Sequence, residues 1–163
     1  NNIGKSLHEE NTNSILDEIF SLSKKENCKI IYPEDVVVAK ELNGSPINKE
    51  TNQVMSDEMI LDIGPKTIEK INHVINDSKT ILWNGPAGYF ENPNFANGSN
   101  KIAKKIIEKN MAKEIYSVAG GGDTVSLING LHGIDKFNFV STAGGAFLEY
   151  LEGKELPGIK VLN

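Results

Sequence analysis

The sequence predicts an α/β fold: a mostly parallel sheet with helices on both faces. Three observations carry this. Short apolar, β-rich runs alternate along the chain with segments whose apolar residues recur at helical spacing. Three of the later runs end in clusters of small residues, beginning at Asn84, at Gly120 and at Thr142. Each cluster leads into a further helical pattern, the strand–loop–helix unit of parallel sheets.

The elements follow in order. Ile15, Ile19, Phe20 and Leu22, behind Asn13-Ser14 as a cap, predict a helix to about Asn27. Two β-rich runs, Lys29–Tyr32 and Val36–Ala39, are separated by Pro33-Glu34-Asp35. Residues Glu41–Ser56 are polar, contain Gly44 and Pro46, and are expected to form an exposed loop or lid. Met59–Ile63 is a strand closed by Gly64-Pro65, and Pro65 suits the first turn of a helix to about Ile75. Strand Thr80–Trp83, helix Gly98–Lys109 (burying Ile102, Ala103, Ile106 and Ile107), strand Glu114–Ala119, helix Thr124–Leu131, strand Phe137–Ser141 and helix Phe147–Glu152 complete the series.

Bulk properties narrow the function. At 163 residues and 39% apolar content the chain can bury a sizeable core, and a single domain is expected. The net charge of −5 offers no basic face for nucleic acid, and no apolar stretch is long enough to span a membrane. Every basic residue is a lysine. Bidentate clamps on phosphate are usually arginines, so any such clamp must come from outside this chain. The lone Cys28 excludes an internal disulfide and fits a reducing compartment. The first residue is Asn1 rather than Met, which reads as the interior of something longer. His8, His73 and His132 lack the spacing or the cysteine partner of a transition-metal site. Gly4-Lys5-Ser6 echoes the end of a phosphate-binding loop, but no strand precedes it.

Parallel sheets bind ligands beyond the carboxyl ends of their strands, and all three small-residue turns belong there. Gly120-Gly121-Gly122 lets backbone N–H groups converge with no side chain in the way. A helix starting at Thr124 would point its positive end at the same place. The expected guest is a phosphorylated ligand.

Several blocks together resemble the phosphoglycerate kinase family: Ile3-Gly4-Lys5-Ser6-Leu7, Leu61-Asp62-Ile63-Gly64-Pro65, Trp83-Asn84-Gly85-Pro86, Gly88-Tyr89-Phe90-Glu91, Gly120-Gly121-Gly122-Asp123-Thr124, Ser141-Thr142-Ala143-Gly144-Gly145-Ala146 and Leu151–Gly158. The resemblance runs over nearly the whole chain. It implies that residues 1–163 are the later part of a C-terminal nucleotide-binding domain, a Rossmann-like three-layer αβα domain truncated at its N-terminal side. Residues 156–163 would be a tail that packs on the absent N-terminal domain. The implied reaction is ATP + 3-phosphoglycerate = ADP + 1,3-bisphosphoglycerate, with ATP or ADP and Mg²⁺ as cofactors. The implied setting is the cytoplasm, with a monomeric full-length protein, no nucleic-acid or membrane partner, and 3-phosphoglycerate bound only with the N-terminal domain present. This chain alone is expected to bind nucleotide without turning over. The competing reading is a non-catalytic nucleotide- or phosphate-binding module.

Site residues are carried over position by position. Asp123 matches the magnesium-anchoring carboxylate, a role that suits Mg²⁺, which takes few protein ligands; its plainer role is to cap the following helix. Gly121, Gly122 and Thr124 match donors to the nucleotide phosphates, against the plainer reading of a tight turn. Glu91 matches the ribose-binding glutamate. Asn84, Gly85, Pro86 and Gly88 match the wall beside the nucleotide, while Phe90 is expected in the core. The adenine slot of the family also uses residues around Met59–Leu61, where Ile60 replaces a glycine of some members. Gly144 and Gly145 match the catalytic amides that meet the transferring phosphoryl group. Ala143 stands where the commonest family version has glycine.

Overall fold

The computed structural model describes residues 2–162; Asn1 and Asn163, the ends of the segments assigned above, lie outside them. The chain folds as two compact units, Asn1–Thr67 and Ile68–Asn163.

In the first unit, helix α1 (Asn13–Lys25) begins behind Thr12 without a side-chain cap and buries none of its residues. Its apolar stripe of Ile15, Leu16, Ile19, Phe20 and Leu22 is exposed. Amphipathic spacing specified the helix but not a partner for its apolar face. The predicted strand at Lys29–Tyr32 does not form. Its β-rich composition leaves Ile30 and Ile31 half-buried, outside any ladder.

Strand β1 (Asp35–Ala39) is buried along its whole length. It lies between β2 (Ile47–Glu50) and β3 (Met59–Ile63), antiparallel to both. Val36 and Val38 pack with Val54 and Ile60 to form the core of this unit. The expected lid at Glu41–Ser56 therefore contains an edge strand, followed by a 3₁₀ turn at Thr51–Gln53. Its polar sequence hides the strand because edge strands carry charge on their open side. The register sets Lys49 opposite Val36, and its Nζ reaches the Glu58 carboxylate at 2.7 and 2.9 Å. Glu58 is 1% exposed and also accepts from the Met55 N–H at 2.9 Å. The Lys49 bond, then the Met55 N–H, outweigh desolvation and hold its pKa below the ordinary value.

Helix α2 (Pro65–Asp77) starts at the predicted Pro65 and continues into the second unit. There β4 (Thr80–Asn84), β5 (Tyr116–Gly120) and β6 (Phe139–Ser141) form the parallel sheet, in the order β4-β5-β6. Helix α3 (Asn97–Met111) and helix α4 (Gly122–Gly130) cross between these strands. Helices α5 (Gly144–Leu151) and α6 (Pro157–Lys160) follow. Ile102, Ala103 and Ile106 of α3, with Leu127 and Ile128 of α4, are buried as helical spacing requires. Ile107 is only half-buried.

Alternation along the strands separates the two sheet faces. Trp83, Ser117 and Ala119 are buried on one; Leu82, Tyr116 and Phe139 are about half exposed on the other. Trp83 and Phe137 stack with ring centroids 6.4 Å apart. Among the described residues no helix is long and apolar enough to cross a membrane.

Candidate functional site

The parallel register fixes where the three small-residue turns begin. Asn84 pairs with Gly120 across β4 and β5, and Gly120 pairs with Ser141 across β5 and β6. The last residues of three neighbouring strands thus form one row, and all three turns leave from the same edge of the sheet.

The first two turns are clasped together. The Gly85 N–H donates to Thr124 Oγ1 at 2.7 Å. On the other side of this short turn the Trp83 indole N–H donates to the Gly85 carbonyl at 2.9 Å. The Asn84 side chain lies against Gly121, where a Cβ would stand 3.3 Å from Asn84 Oδ1. Gly121 has φ +92°, so backbone conformation and crowding both call for glycine. Two residues on, the Ala87 N–H donates to the fully buried Ser99 Oγ at 2.8 Å. The loop that carries Pro86 and Gly88 is therefore anchored in α3 as well as α4. Phe90 is half-buried rather than a core residue, and Phe95, just beyond, is fully buried.

The third turn approaches through α5. The Phe147 ring packs on Gly120, so that a Cβ there would stand 3.0 Å from Phe147 Cδ1. Gly144 has φ +39°. Neither Gly144 nor Gly145 has an atom within 4 Å of where a Cβ would lie, and Gly122 is equally open.

The predicted site residues divide by exposure. Asn84, Gly85, Glu91, Gly122, Asp123 and Gly145 are exposed; Pro86, Gly88, Gly121 and Gly144 are half-buried. Thr124 is buried, and its hydroxyl oxygen accepts from the Gly85 N–H. Asp123 is not the cap of α4. The helix begins at Gly122 behind Gly121, with no side-chain cap, and Asp123 lies in its first turn. The positive-φ glycine starts the helix earlier than the sequence suggests and leaves the carboxylate uncommitted.

Among the described residues no three His, Cys, Asp or Glu side chains form a metal cluster. The donor set here suits a cation that takes one carboxylate and completes its shell with ligand oxygens and water. An exposed carboxylate beside an open helix N-terminus meets that description.

Sequence reasoning missed Ser99, Trp83 and Phe147 as supports of the site. Ser99 gives no local signal, because its partner is twelve residues away. Trp83 adjoins the first turn, and its position there was the available clue. Met59–Leu61 line a cavity of about 390 Å³ in the first unit, with Lys5, Ser6, Leu7 and Leu42. The Ile60 N–H there donates to Ser6 Oγ at 2.8 Å.

Comparison with known proteins identifies the family and the fold. A family model described as phosphoglycerate kinase matches residues 1–154. The phosphoglycerate kinase of Zymomonas mobilis is 47% identical over 163 residues, spanning 99% of this chain and 41% of that protein. That of Rhizobium johnstonii is 45% identical with the same coverage. Among solved structures, phosphoglycerate kinase from Coxiella burnetii superposes with a TM-score of 0.90 at 38% identity, covering 99% of this chain and 41% of that one. The enzyme from Pyrococcus horikoshii gives 0.76 at 28%, covering 99% and 40%. The chain thus spans about two-fifths of the length of the relatives it matches.

Proposed function

This chain belongs to the phosphoglycerate kinase family, and from that membership we propose that it is the nucleotide-binding part of a phosphotransferase. The reaction is ATP + 3-phosphoglycerate = ADP + 1,3-bisphosphoglycerate. The chain binds MgADP or MgATP and does not turn over alone. The observation that carries this reading is the row Asn84–Gly120–Ser141, from which all three turns leave one sheet edge.

Phosphoryl transfer asks the protein chiefly for positioning and charge stabilisation. The N–H groups of Gly121, Gly122 and Asp123 open α4 and receive the phosphates, helped by the positive end of the helix. Glu91 accepts from the ribose hydroxyls, and Asn84 to Gly88 form the adjoining wall. The amides of Gly144 and Gly145 meet the phosphoryl group in flight, in the manner of an oxyanion hole. Asp123 would hold Mg²⁺, which neutralises phosphate charge when bound.

The absence of arginine, an observation of the sequence, also favours a narrower reading. A phosphate-binding module needs no clamp on the acceptor, whereas the kinase reaction draws its basic acceptor site from a domain beyond this chain. The two part on one measurement: turnover after adding, as a separate polypeptide, the region that longer relatives carry ahead of the matched segment. Recovered turnover supports the kinase, and binding without turnover supports the module. The cytoplasm and a monomeric full-length protein belong to the kinase reading.

The direct test is amide hydrogen exchange. MgADP should protect Gly120–Thr124. No perturbation at millimolar nucleotide counts against the proposal.

A further inference from the structure

We propose that Thr124 is a positioning residue, tying the loop from Gly85 to Glu91 to the N-terminus of α4 instead of donating its hydroxyl to a ligand. The inference rests on the nucleotide reading above and refines how that site is held. Thr124 is fully buried, so its side chain presents no surface to a guest. Its Oγ1 already accepts the Gly85 N–H at 2.7 Å, a bond that spans 39 residues of sequence.

The same glycine is gripped on its other side, where its carbonyl accepts the Trp83 indole N–H at 2.9 Å. Gly85 has φ +97° and no atom within 4 Å of an added Cβ. The side on which a Cβ would stand is open, and two hydrogen bonds, one to each end of the residue, hold its backbone. The loop leaving it carries Glu91 six positions later, while Thr124 sits in the first turn of the helix that offers phosphate donors. A ligand that reaches both a carboxylate on the loop and the helix start benefits from having the two fixed in advance. A ligand that touches only the helix start does not.

That asymmetry gives the test. Binding of MgADP and of magnesium pyrophosphate to the 163-residue chain is measured by calorimetry for the wild type, Thr124→Val and Thr124→Ser. Valine keeps the shape and removes the acceptor. Thr124→Val should weaken MgADP about tenfold, the equivalent of one hydrogen bond, and pyrophosphate by less than about twofold. Thr124→Ser should restore MgADP. Without ligand, the Gly85 amide should exchange about tenfold faster in Thr124→Val, while Ala119 and Ile128 stay protected.

Equal weakening of both ligands would make Thr124 a phosphate contact and overturn the proposal. So would unchanged binding of both, or an unchanged Gly85 exchange rate. Failure of the wild type to bind either ligand removes the nucleotide reading and the positioning role with it. That result differs from a wild type that binds while the variants show no split. Should Thr124→Val not fold, Trp83→Phe frees the opposite side of Gly85 and must show the same split between the two ligands.

Discussion

Asp35 and Thr67, 32 residues apart, cap a helix across the fold. The Thr67 N–H donates to Asp35 Oδ1 at 2.8 Å and its hydroxyl donates to the same oxygen at 2.7 Å. The Lys66 N–H donates to Asp35 Oδ2 at 3.0 Å. Two of the open N–H groups in the first turn of α2 are thus satisfied by a strand residue distant in sequence. Burial pushes the Asp35 pKa up. The hydrogen bonds from Thr67 and Lys66, with the Lys66 charge, more than reverse this and hold it below the ordinary value.

Asp35→Ala should therefore cost about 2–3 kcal/mol, the loss of a cap together with stranded buried donors. Urea unfolding measures it. The sign of the pH dependence follows from the lowered pKa. The stabilisation is complete above the unfolded-state value of about 4 and is lost as pH falls through the lower folded-state value. The variant's acid-unfolding curve should lack that part of the transition.

Gly64 meets the same carboxylate. A Cβ at this position would lie 2.3 Å from Asp35 Cγ. Gly64→Ala should destabilise the protein by about 1–3 kcal/mol through overpacking. In Asp35→Ala the added methyl has room, so the double variant should lose less than the sum of the two singles. A thermal-unfolding double-mutant cycle reads this out, and strict additivity would show that the two positions do not crowd each other.

Glu58 and Lys49 form a pair in which one side chain is 1% exposed and the other 17%. Removing one partner leaves a charge with little water, whereas replacing both with apolar residues does not. Glu58→Ala should lower the unfolding temperature. Glu58→Met with Lys49→Met should recover much of the loss.

Ser99 should behave as a loop anchor. Ser99→Ala strands the Ala87 N–H and should cost about 1 kcal/mol. Amide exchange should quicken at Ala87 and not at Ile102 or Ala103 in the same helix.

Asp123→Asn tests the cation role separately from the fold. The residue is exposed in the first turn of α4 and is not its cap. Stability should stay within about 0.5 kcal/mol, as for ordinary surface positions. MgADP affinity should fall at least about tenfold, the scale of one charge-assisted contact. ADP without magnesium should lose much less.

The parallel half of the fold was legible in the sequence because each strand is a short, largely apolar run that leads into a glycine-containing turn. The row Asn84–Gly120–Ser141 realises that expectation at residue level. Strand β2 was not legible. Its Ile47-Asn48-Lys49-Glu50 carries one large apolar side chain, and its pairing partner is supplied by β1. The stripe on α1 was read correctly as helical spacing, yet periodicity says nothing of what covers it. At the site, the glycines could be read because their run before a helix is itself a sequence signal, although part of the need at Gly120 and Gly121 comes from Phe147 and Asn84. The use of Thr124 and Ser99 could not, since each serves a backbone N–H well separated in sequence.

Trp83 is the chain's single tryptophan. Its ring is stacked on Phe137, and its N–H holds the carbonyl of Gly85. Intrinsic fluorescence is consequently a one-site optical gauge mounted on the first turn. Titrating nucleotide against its emission would report on that turn without a label, and a silent spectrum would show that the surroundings of Trp83 do not change.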